Sequence, residues 1–238
     1  MTDQPDVSVI IAAYRAQDFV RTAIESATAQ DASLEILVAP DEPDDYRFLL
    51  ARDPRIRVLE PVAAPTGPAA ARNRALRVAR GHFIALLDAD DYWSPSYLST
   101  LLPLAARHGA AFGRTMIADW DGTELRSVPA HDDRDVVDFA TFATAYGSLH
   151  GIARREATRS WQDLLAEDVL YDLESLALAG GRAPYAAGAV YTLRVRLQSF
   201  SHSEDFIRDI DAGYARLIGL IQNGMTAVPA PLRDSASD

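Results

Sequence analysis

The stretch Phe83-Ile84-Ala85-Leu86-Leu87-Asp88-Ala89-Asp90-Asp91 decides how this chain is interpreted. Its first five residues are apolar and have the length of a buried strand, and three carboxylates follow them. In open α/β sheets, ligands bind outside the carboxyl ends of the strands. Anions crowded at that place repel one another unless a cation lies between them, and Mg²⁺ or Mn²⁺ shared with substrate phosphates would meet that need. The alternative is a solvated turn before the next helix.

Segments typical of strands and helices alternate on both sides of this stretch. Up to about residue 108, the pattern predicts strands at 7–13, 34–39, 56–60 and 82–87 and helices at 18–30, 69–79 and 95–108, the first capped by Asp18. Beyond it, the pattern predicts strands at 111–117, 125–128 and 185–193 and helices at 136–145, 169–179 and 204–223. Such alternation is typical of βαβ units and a parallel sheet.

The composition excludes several classes of protein. The chain has 238 residues and a net charge of −11, and nucleic acid is not expected as a partner because binding it needs a basic face. All 23 basic residues are arginine, which excludes a Walker A loop, and the absence of cysteine excludes disulfides and thiolate metal sites. Neither a membrane-spanning run nor a signal peptide is visible. We therefore expect a cytoplasmic protein with at most peripheral contact to a membrane.

Several segments together resemble glycosyltransferase family 2, the inverting enzymes of GT-A fold that use nucleotide-diphosphate sugars. In chain order, over about residues 7–202, these segments are VSVIIAAYRAQDFVRTAIESATAQ, EILVAPDEPDD, AARNRALRVARGHFIALLDADDYWSPSYL, AEDVLYDLESLALAG and YTLRVRLQSFS. The glycine fingerprint of dinucleotide-binding folds is absent after the first strand.

The fold that the resemblance implies is a single α/β domain of GT-A type over residues 1–238. Its doubly wound, mostly parallel sheet would be flanked by helices. About 1–110 would form a nucleotide-binding half and about 111–225 a less regular acceptor-binding half, followed by a flexible tail at 226–238.

The resemblance also implies a donor site formed by loops. Tyr14 would stack on the base, Asp41 would accept a hydrogen bond from it, and Arg72 would approach its carbonyl. Asp88 would bind the ribose hydroxyls, and forked arginine donors suit phosphate oxygens. The residues implied to bind the nucleotide sugar are Ala12, Tyr14, Asp41, Arg72, Asp88, Arg194, Arg196 and Ser199.

Four positions depart from the family pattern. Ala12 and Arg15 replace its proline and asparagine, Pro40 replaces the first carboxylate of a pair, and Arg196 replaces a histidine. The first three departures leave open which base binds, and Arg196 leaves open whether an arginine contacts phosphate where the family has a metal ligand. The alternatives for Tyr14 and Arg72 are a half-buried core tyrosine and a solvated helix charge.

The remaining implied roles are catalysis, metal binding and acceptor binding. Asp90 would ligate the metal, Mn²⁺ or Mg²⁺, and Asp91 would support that site or cap the next helix. Asp168 would be the general base, although acidic residues at a helix start are also favoured by the helix dipole. The residues assigned to the acceptor are Trp161, His150 and Glu167, of which Trp161 is equally consistent with a core position. Residues 194–202 are predicted to order over the diphosphate.

The sequence therefore predicts a metal-dependent inverting glycosyltransferase. Its partners would be a nucleotide-diphosphate sugar donor and a hydroxyl acceptor, either a glycan or a lipid-linked glycan, in bacterial surface polysaccharide or glycolipid synthesis. One alternative is a sugar-nucleotidyltransferase, but the chain has no glycine-rich loop after the first strand. The other is a degenerate binding or scaffold protein, for which Arg15, Pro40 and Arg196 are the best support.

Overall fold

The computed structural model describes residues 4–128, 134–145, 149–195 and 204–228. The strands are β1 (Val7–Ala13), β2 (Leu34–Pro40), β3 (Ile56–Val58), β4 (Phe83–Leu86), β5 (Tyr92–Trp93), β6 (Ala110–Ala118), β7 (Glu124–Val128), β8 (Val136–Asp138), β9 (Gly151–Arg154) and β10 (Arg182–Arg194). The helices are α1 (Val20–Thr28), α2 (Pro68–Val78), α3 (Tyr97–His108), α4 (Phe139–Ala145), α5 (Glu167–Leu178) and α6 (Glu204–Gln222). None of the described helices has the length and apolar character that crossing a membrane requires.

The strands of the described residues form one mixed sheet in the order β3-β2-β1-β4-β9-β6-β10-β5, with β7 beside β6 and β8 beside β10. β1 to β4 are parallel, β9 is antiparallel to both β4 and β6, and β10 is parallel to β6. Six strands thus run in one direction, which confirms the mostly parallel sheet. The carboxyl ends of β1, β2, β4, β6 and β10 therefore share one edge of the sheet with the start of β9.

β1 and β2 are buried on both faces, as expected in a parallel sheet, and the two polar residues within them, Ser8 and Glu35, hydrogen-bond each other (2.7 Å). Successive side chains of a strand point to opposite faces of the sheet. Val9 and Ile11 therefore belong to a hydrophobic cluster on one face, and Ile10 belongs to a second cluster on the opposite face. A further cluster, which includes Phe112 and Leu217, packs α5 and α6 against β6 and β10. Helices therefore cover both faces of the sheet.

A close backbone approach requires glycine at position 113 in β6. A Cβ atom built there would lie 2.3 Å from the carbonyl oxygen of Ala189. The register between β6 and β10 shifts between Ala186 and Val190, so β10 is irregular where it passes Gly113. This irregularity lies within the strand that carries Tyr191 and Arg194 to the site.

The structure corrects several predicted elements. The predicted helix at 136–145 begins as strand β8, because 136–138 pair with β10. The short strands β5 and β9 were not predicted. Asp18 does not cap α1, which begins after Phe19 without a side-chain cap. Asp91 does not cap α3, which begins after Ser96.

Candidate functional site

The carboxylates that follow β4 lie at the shared carboxyl edge of the sheet, in a turn closed by a hydrogen bond from the N–H of Asp91 to the carbonyl of Asp88 (3.1 Å). The Tyr191 hydroxyl accepts from the N–H of Asp88 (3.0 Å) and donates to Oδ2 of Asp91 (2.9 Å). Oδ1 of Asp91 accepts from the N–H of Arg194 (2.8 Å). Burial, followed by the charges of Asp90 and Asp88, raises the pKa of Asp91 well above its usual range. Asp91 therefore ties the turn to β10.

Arg72 is the centre of the charge network. It lies on α2, is buried, and donates from Nη2 to Asp88 (2.7 Å) and from Nη1 to Glu167 (2.5 Å). Burial alone would lower its pKa, but the charges of Asp88, Glu167 and Asp168 raise it. Conversely, burial alone would raise the pKa of Asp88, but the charges of Arg72 and His150 and the hydrogen bond from Arg72 together lower it. Arg72 thus joins two carboxylates that are far apart in the sequence.

Glu167 and Asp168 lie in the first turn of α5. The residue before them, Ala166, has φ of +69°, a left-handed conformation that is uncommon for a residue with a Cβ atom. Burial, with a contribution from Asp168, raises the pKa of Glu167 to about 7 even though Arg72 opposes the rise. Asp168 is close enough to act on Arg72 and on His150 by its charge. The start of α5 therefore faces the loop after β4.

His150 directly precedes β9 and is buried. Its ring stacks on that of Tyr191, with 3.8 Å between centroids and 15° between planes. The backbone N–H of His150 donates to the buried carboxylate of Asp172 (3.2 Å). Burial lowers the pKa of His150, against the charges of Asp88 and Asp168. The stack places His150 behind the carboxylate turn, and its predicted contact with an acceptor stays a prediction.

The predicted donor residues on β1 and β2 lie along the same edge. Tyr14 is 45% exposed just beyond β1, and the Arg15 guanidinium lies 5.0 Å from its ring centroid. Asp41, beyond β2, is buried and accepts from the N–H groups of Thr66 (3.0 Å) and Gly67 (2.8 Å) at the start of α2. Ala12 is half-buried in β1. In the described contacts, Asp41 thus orders the loop before α2, and its contact with a base stays a prediction.

Arg194, at the end of β10, packs beside Asp90. Its Nε donates to the carbonyl of Asp90, and its guanidinium carbon lies 4.1 Å from the ring centroid of Trp120 and 5.7 Å from that of Tyr92. This places Arg194 against the carboxylate turn. Arg196, Ser199 and the rest of the predicted loop at 194–202 beyond residue 195 lie outside the described residues.

Trp161 belongs to a core cluster. It is buried and stacks on Tyr171, with 4.7 Å between centroids. Asn73, the neighbour of Arg72 on α2, bonds both the N–H and the carbonyl of Trp161 at 2.9 Å. These contacts support the core alternative, and an acceptor contact of Trp161 stays a prediction.

Sequence analysis missed three residues at this edge. Glu42 accepts from the N–H of Arg15 (2.6 Å) and from the Tyr46 hydroxyl (2.7 Å), so it holds the loop after β1. Tyr191 and Trp120 reach the site from β10 and from the turn after β6. The acidic run 41–45 was a signal for Glu42, whereas the other two depend on pairings between distant segments.

The carboxylates at this site suit a metal ion that is coordinated partly by the protein and partly by a bound ligand. In the parts of the chain that the structure describes, no three histidine or carboxylate side chains converge to form a complete metal site. Mg²⁺ in phosphate sites is held by one or two carboxylates, with substrate oxygens and water completing the shell. Asp88, whose side chain is 35% exposed, and Asp90 provide such carboxylates at the end of β4. The residues present fit that kind of metal.

Comparison with curated proteins finds relatives among bacterial polysaccharide proteins. The succinoglycan biosynthesis protein ExoU of Rhizobium meliloti is 30% identical over 245 residues, covering 90% of this chain and 70% of that protein. ExoO of the same organism is 38% identical over 128 residues, covering 51% and 36%. The Escherichia coli UDP-Glc:alpha-D-GlcNAc-diphosphoundecaprenol beta-1,3-glucosyltransferase WfaP is 38% identical over 97 residues, covering 39% and 38%. The chain thus spans between about a third and 70% of these relatives' lengths.

Solved structures share the fold. S. aureus TarS 1–349 in complex with UDP-GlcNAc matches with a TM-score of 0.65 at 19% identity, covering 91% of this chain and 65% of that one. The mannosyltransferase PcManGT of Pyrobaculum calidifontis, in complex with GDP-Man and Mn²⁺, matches with a TM-score of 0.63 at 19% identity, covering 92% and 64%. At this identity, the likeness confirms the GT-A fold and nothing further.

The family itself is shown at the level of sequence. The family model described as Glycosyl transferase family 2 matches residues 8–160. The matched region includes all but the first residue of β1, the loop after β2, Arg72 on α2 and the carboxylates after β4. With the relation to ExoU over most of the chain, this match establishes that the protein belongs to glycosyl transferase family 2.

Proposed function

We propose that this protein is a metal-dependent inverting glycosyltransferase that moves a sugar from a nucleotide-diphosphate donor to a hydroxyl group. The observation that carries the proposal is that Arg72 joins Asp88, which follows β4, to Glu167 in the first turn of α5. Donor binding at the carboxyl ends of β1, β2 and β4 follows the general position of ligands in open α/β sheets. The nucleotide-sugar complexes of TarS and PcManGT support a donor of this kind.

The division of roles follows from the positions of the carboxylates. Asp88 and Asp90 lie where a nucleotide diphosphate and its cation would bind, and a bound Mn²⁺ or Mg²⁺ would supply Lewis-acid stabilisation of the departing diphosphate. Asp168, at the start of α5, is the proposed base that takes the proton from the acceptor hydroxyl. Arg72 holds Asp88 and Glu167 in place between these groups. A base placed opposite the leaving diphosphate gives one displacement with inversion.

The names of the relatives support a proposal for the acceptor class. The names of ExoU and ExoO refer to succinoglycan biosynthesis, and that of WfaP refers to a sugar linked to diphosphoundecaprenol. We infer a glycan or a lipid-linked glycan as the acceptor, in surface polysaccharide or glycolipid synthesis. A lipid-linked acceptor would bring this protein to the membrane surface by peripheral contact.

Thermal unfolding with nucleotides tests the donor and metal assignments. UDP and GDP would be compared with UMP and GMP, each with and without Mn²⁺. A ligand at about 100 times its Kd stabilises the folded state by about 2.7 kcal/mol, which raises the Tm of a chain of this size by about 5 °C or more. We expect one diphosphate to do so with Mn²⁺ and its monophosphate to do much less.

Two variants serve as the comparison. Asp88→Asn removes a charge at the proposed site, whereas Glu156→Gln changes an exposed carboxylate beyond β9 at the opposite edge of the sheet. The first should lose most of the diphosphate shift and the second should retain it. Equal shifts in both variants, or no shift with either diphosphate in the unaltered protein, would contradict the proposal.

A further inference from the structure

Trp120 differs from the two other tryptophans of the chain in its exposure. Trp93 and Trp161 are 3% and 5% exposed and belong to core clusters, whereas Trp120 is 41% exposed. A single exposed aromatic residue is ordinary on a protein surface. Its significance here depends on how the ring is held and on what lies beside it.

The turn that carries Trp120 is fixed by its own hydrogen bonds. The Asp119 carboxylate accepts from the N–H groups of Asp121 (3.1 Å) and Thr123 (2.8 Å), and the carbonyl of Asp119 accepts from the N–H of Gly122 (3.0 Å). Gly122 has φ of +90°, which closes the turn between β6 and β7 at a position where other residues would be strained. The indole is therefore presented by an ordered turn.

The neighbours of Trp120 belong to the candidate site. The Arg194 guanidinium packs on its ring and also donates to the carbonyl of Asp90. Phe19, from the segment between β1 and α1, meets the indole edge to face, with 5.9 Å between centroids. The ring thus stands where the carboxyl ends of β1, β4, β6 and β10 come together.

We propose that the exposed surface of Trp120 is a binding platform for a pyranose ring. A pyranose offers an apolar face of C–H groups, which packs on a flat aromatic surface, and hydroxyls at its rim. Asp121, the next residue of the same turn, is exposed, and its carboxylate would be an acceptor for those hydroxyls. This inference rests on the proposed function and deepens it. The ring belongs either to the donor sugar or to the acceptor sugar.

Quenching of tryptophan fluorescence by acrylamide tests the platform directly, because Trp120 is the exposed tryptophan. UDP-glucose is compared with UDP, and GDP-mannose is compared with GDP. Methyl β-glucoside is the third sugar probe, and Mn²⁺ is present in all cases. Protection of Trp120 by a nucleotide sugar, but not by its diphosphate, identifies the donor sugar as the occupant. Protection by the glucoside identifies an acceptor sugar. Protection as strong with the diphosphate alone would overturn the proposal.

Binding to variants provides the second readout. Trp120→Ala should lower the affinity for the sugar probe that protects Trp120 by about three- to tenfold, which is the loss expected for one aromatic contact. The affinity for the diphosphate should be nearly unchanged. Trp120→Phe keeps a ring and should retain most of the affinity even if the alanine variant does not fold. The control is Leu125→Ala, which changes an exposed side chain of the same hairpin.

Failure of this inference and failure of the proposed function give different results. If a diphosphate raises the Tm but no sugar probe protects Trp120, the platform is refuted and the donor site stands. If no diphosphate binds, the proposed function fails, and the glucoside alone decides whether Trp120 binds a sugar. Equal affinity of Trp120→Ala and the unaltered protein for every sugar probe also refutes the platform.

Discussion

Replacing Glu167 with glutamine is expected to reduce the pH dependence of stability near neutrality. In the folded protein, burial raises the pKa of Glu167 to about 7, from an ordinary value of 4.5. Between these two values the folded state binds more protons than the unfolded state, so the free energy of unfolding falls as pH rises. The contribution of Glu167 is complete below about pH 4.5 and is lost as pH rises through about 7.

The size of the effect follows from the same two values. Each unit of difference between the folded and the ordinary pKa of Glu167 corresponds to about 1.4 kcal/mol. The free energy of unfolding should therefore fall by about 3 kcal/mol, mostly between pH 5 and 8. Because Glu167 is buried, little of this is screened by solvent. Arg72 and Asp168 act on the same carboxyl in opposite directions, so the figure describes the three groups together.

Urea denaturation at pH 5 and pH 8 measures the prediction. Other groups also contribute to the pH dependence of the free energy of unfolding, and in opposite directions, since the pKa of Glu174 is raised and that of Glu35 is lowered. The quantity to compare is therefore the change between the two pH values in Glu167→Gln and in the unaltered protein. Glu156→Gln, at an exposed position, is the matched control. If Glu167→Gln and the unaltered protein change by the same amount, within about 0.5 kcal/mol, the argument from burial is wrong.

Three further predictions concern the site. Asp168→Asn should bind the nucleotide sugar as before and lower the rate of transfer by ~10²-fold or more, measured as product formed at saturating donor, and loss of donor binding would instead mark Asp168 as structural. Asp90→Ala should remove the strengthening of diphosphate binding by Mn²⁺ in calorimetry, and equal affinity with and without the substitution would exclude Asp90 as a ligand. Tyr191→Phe removes the hydroxyl between Asp88 and Asp91 and should lower the free energy of unfolding by about 1–3 kcal/mol. An unchanged denaturation midpoint would show that this hydroxyl is dispensable.

The parts of the fold that the sequence predicted are those encoded locally. β4 is a continuous apolar run and β1 is apolar apart from Ser8, so the burial of both strands and the carboxylates after β4 could be inferred. β9 has only four residues and no periodic pattern, and it is a strand because β4 and β6 lie on either side of it. A short strand of this kind depends on tertiary pairing.

The candidate site also has a part that is encoded locally and a part that depends on contacts between distant segments. The types of residue in the turn after β4 led to a predicted metal site, which stays a prediction, whereas the contacts of Arg72 with Asp88 and Glu167 join three separate segments. The bonds of Tyr191 to this turn span about a hundred residues. Such contacts depend on how β10 lies against β6, which no local pattern encodes.

The continuity of the sheet limits how this protein can move. From β3 at one edge to β5 at the other, each neighbouring pair of strands is joined by hydrogen bonds. The donor side and the side that carries α5 therefore cannot swing apart as two bodies without breaking a ladder between strands. In native-state hydrogen exchange, we expect the amides of β1, β4, β6 and β10 to be in the slowest class, which is exposed only by unfolding of the whole sheet. If ligand binding rearranges the backbone, we therefore expect the change in the connecting segments at the carboxyl ends of the strands.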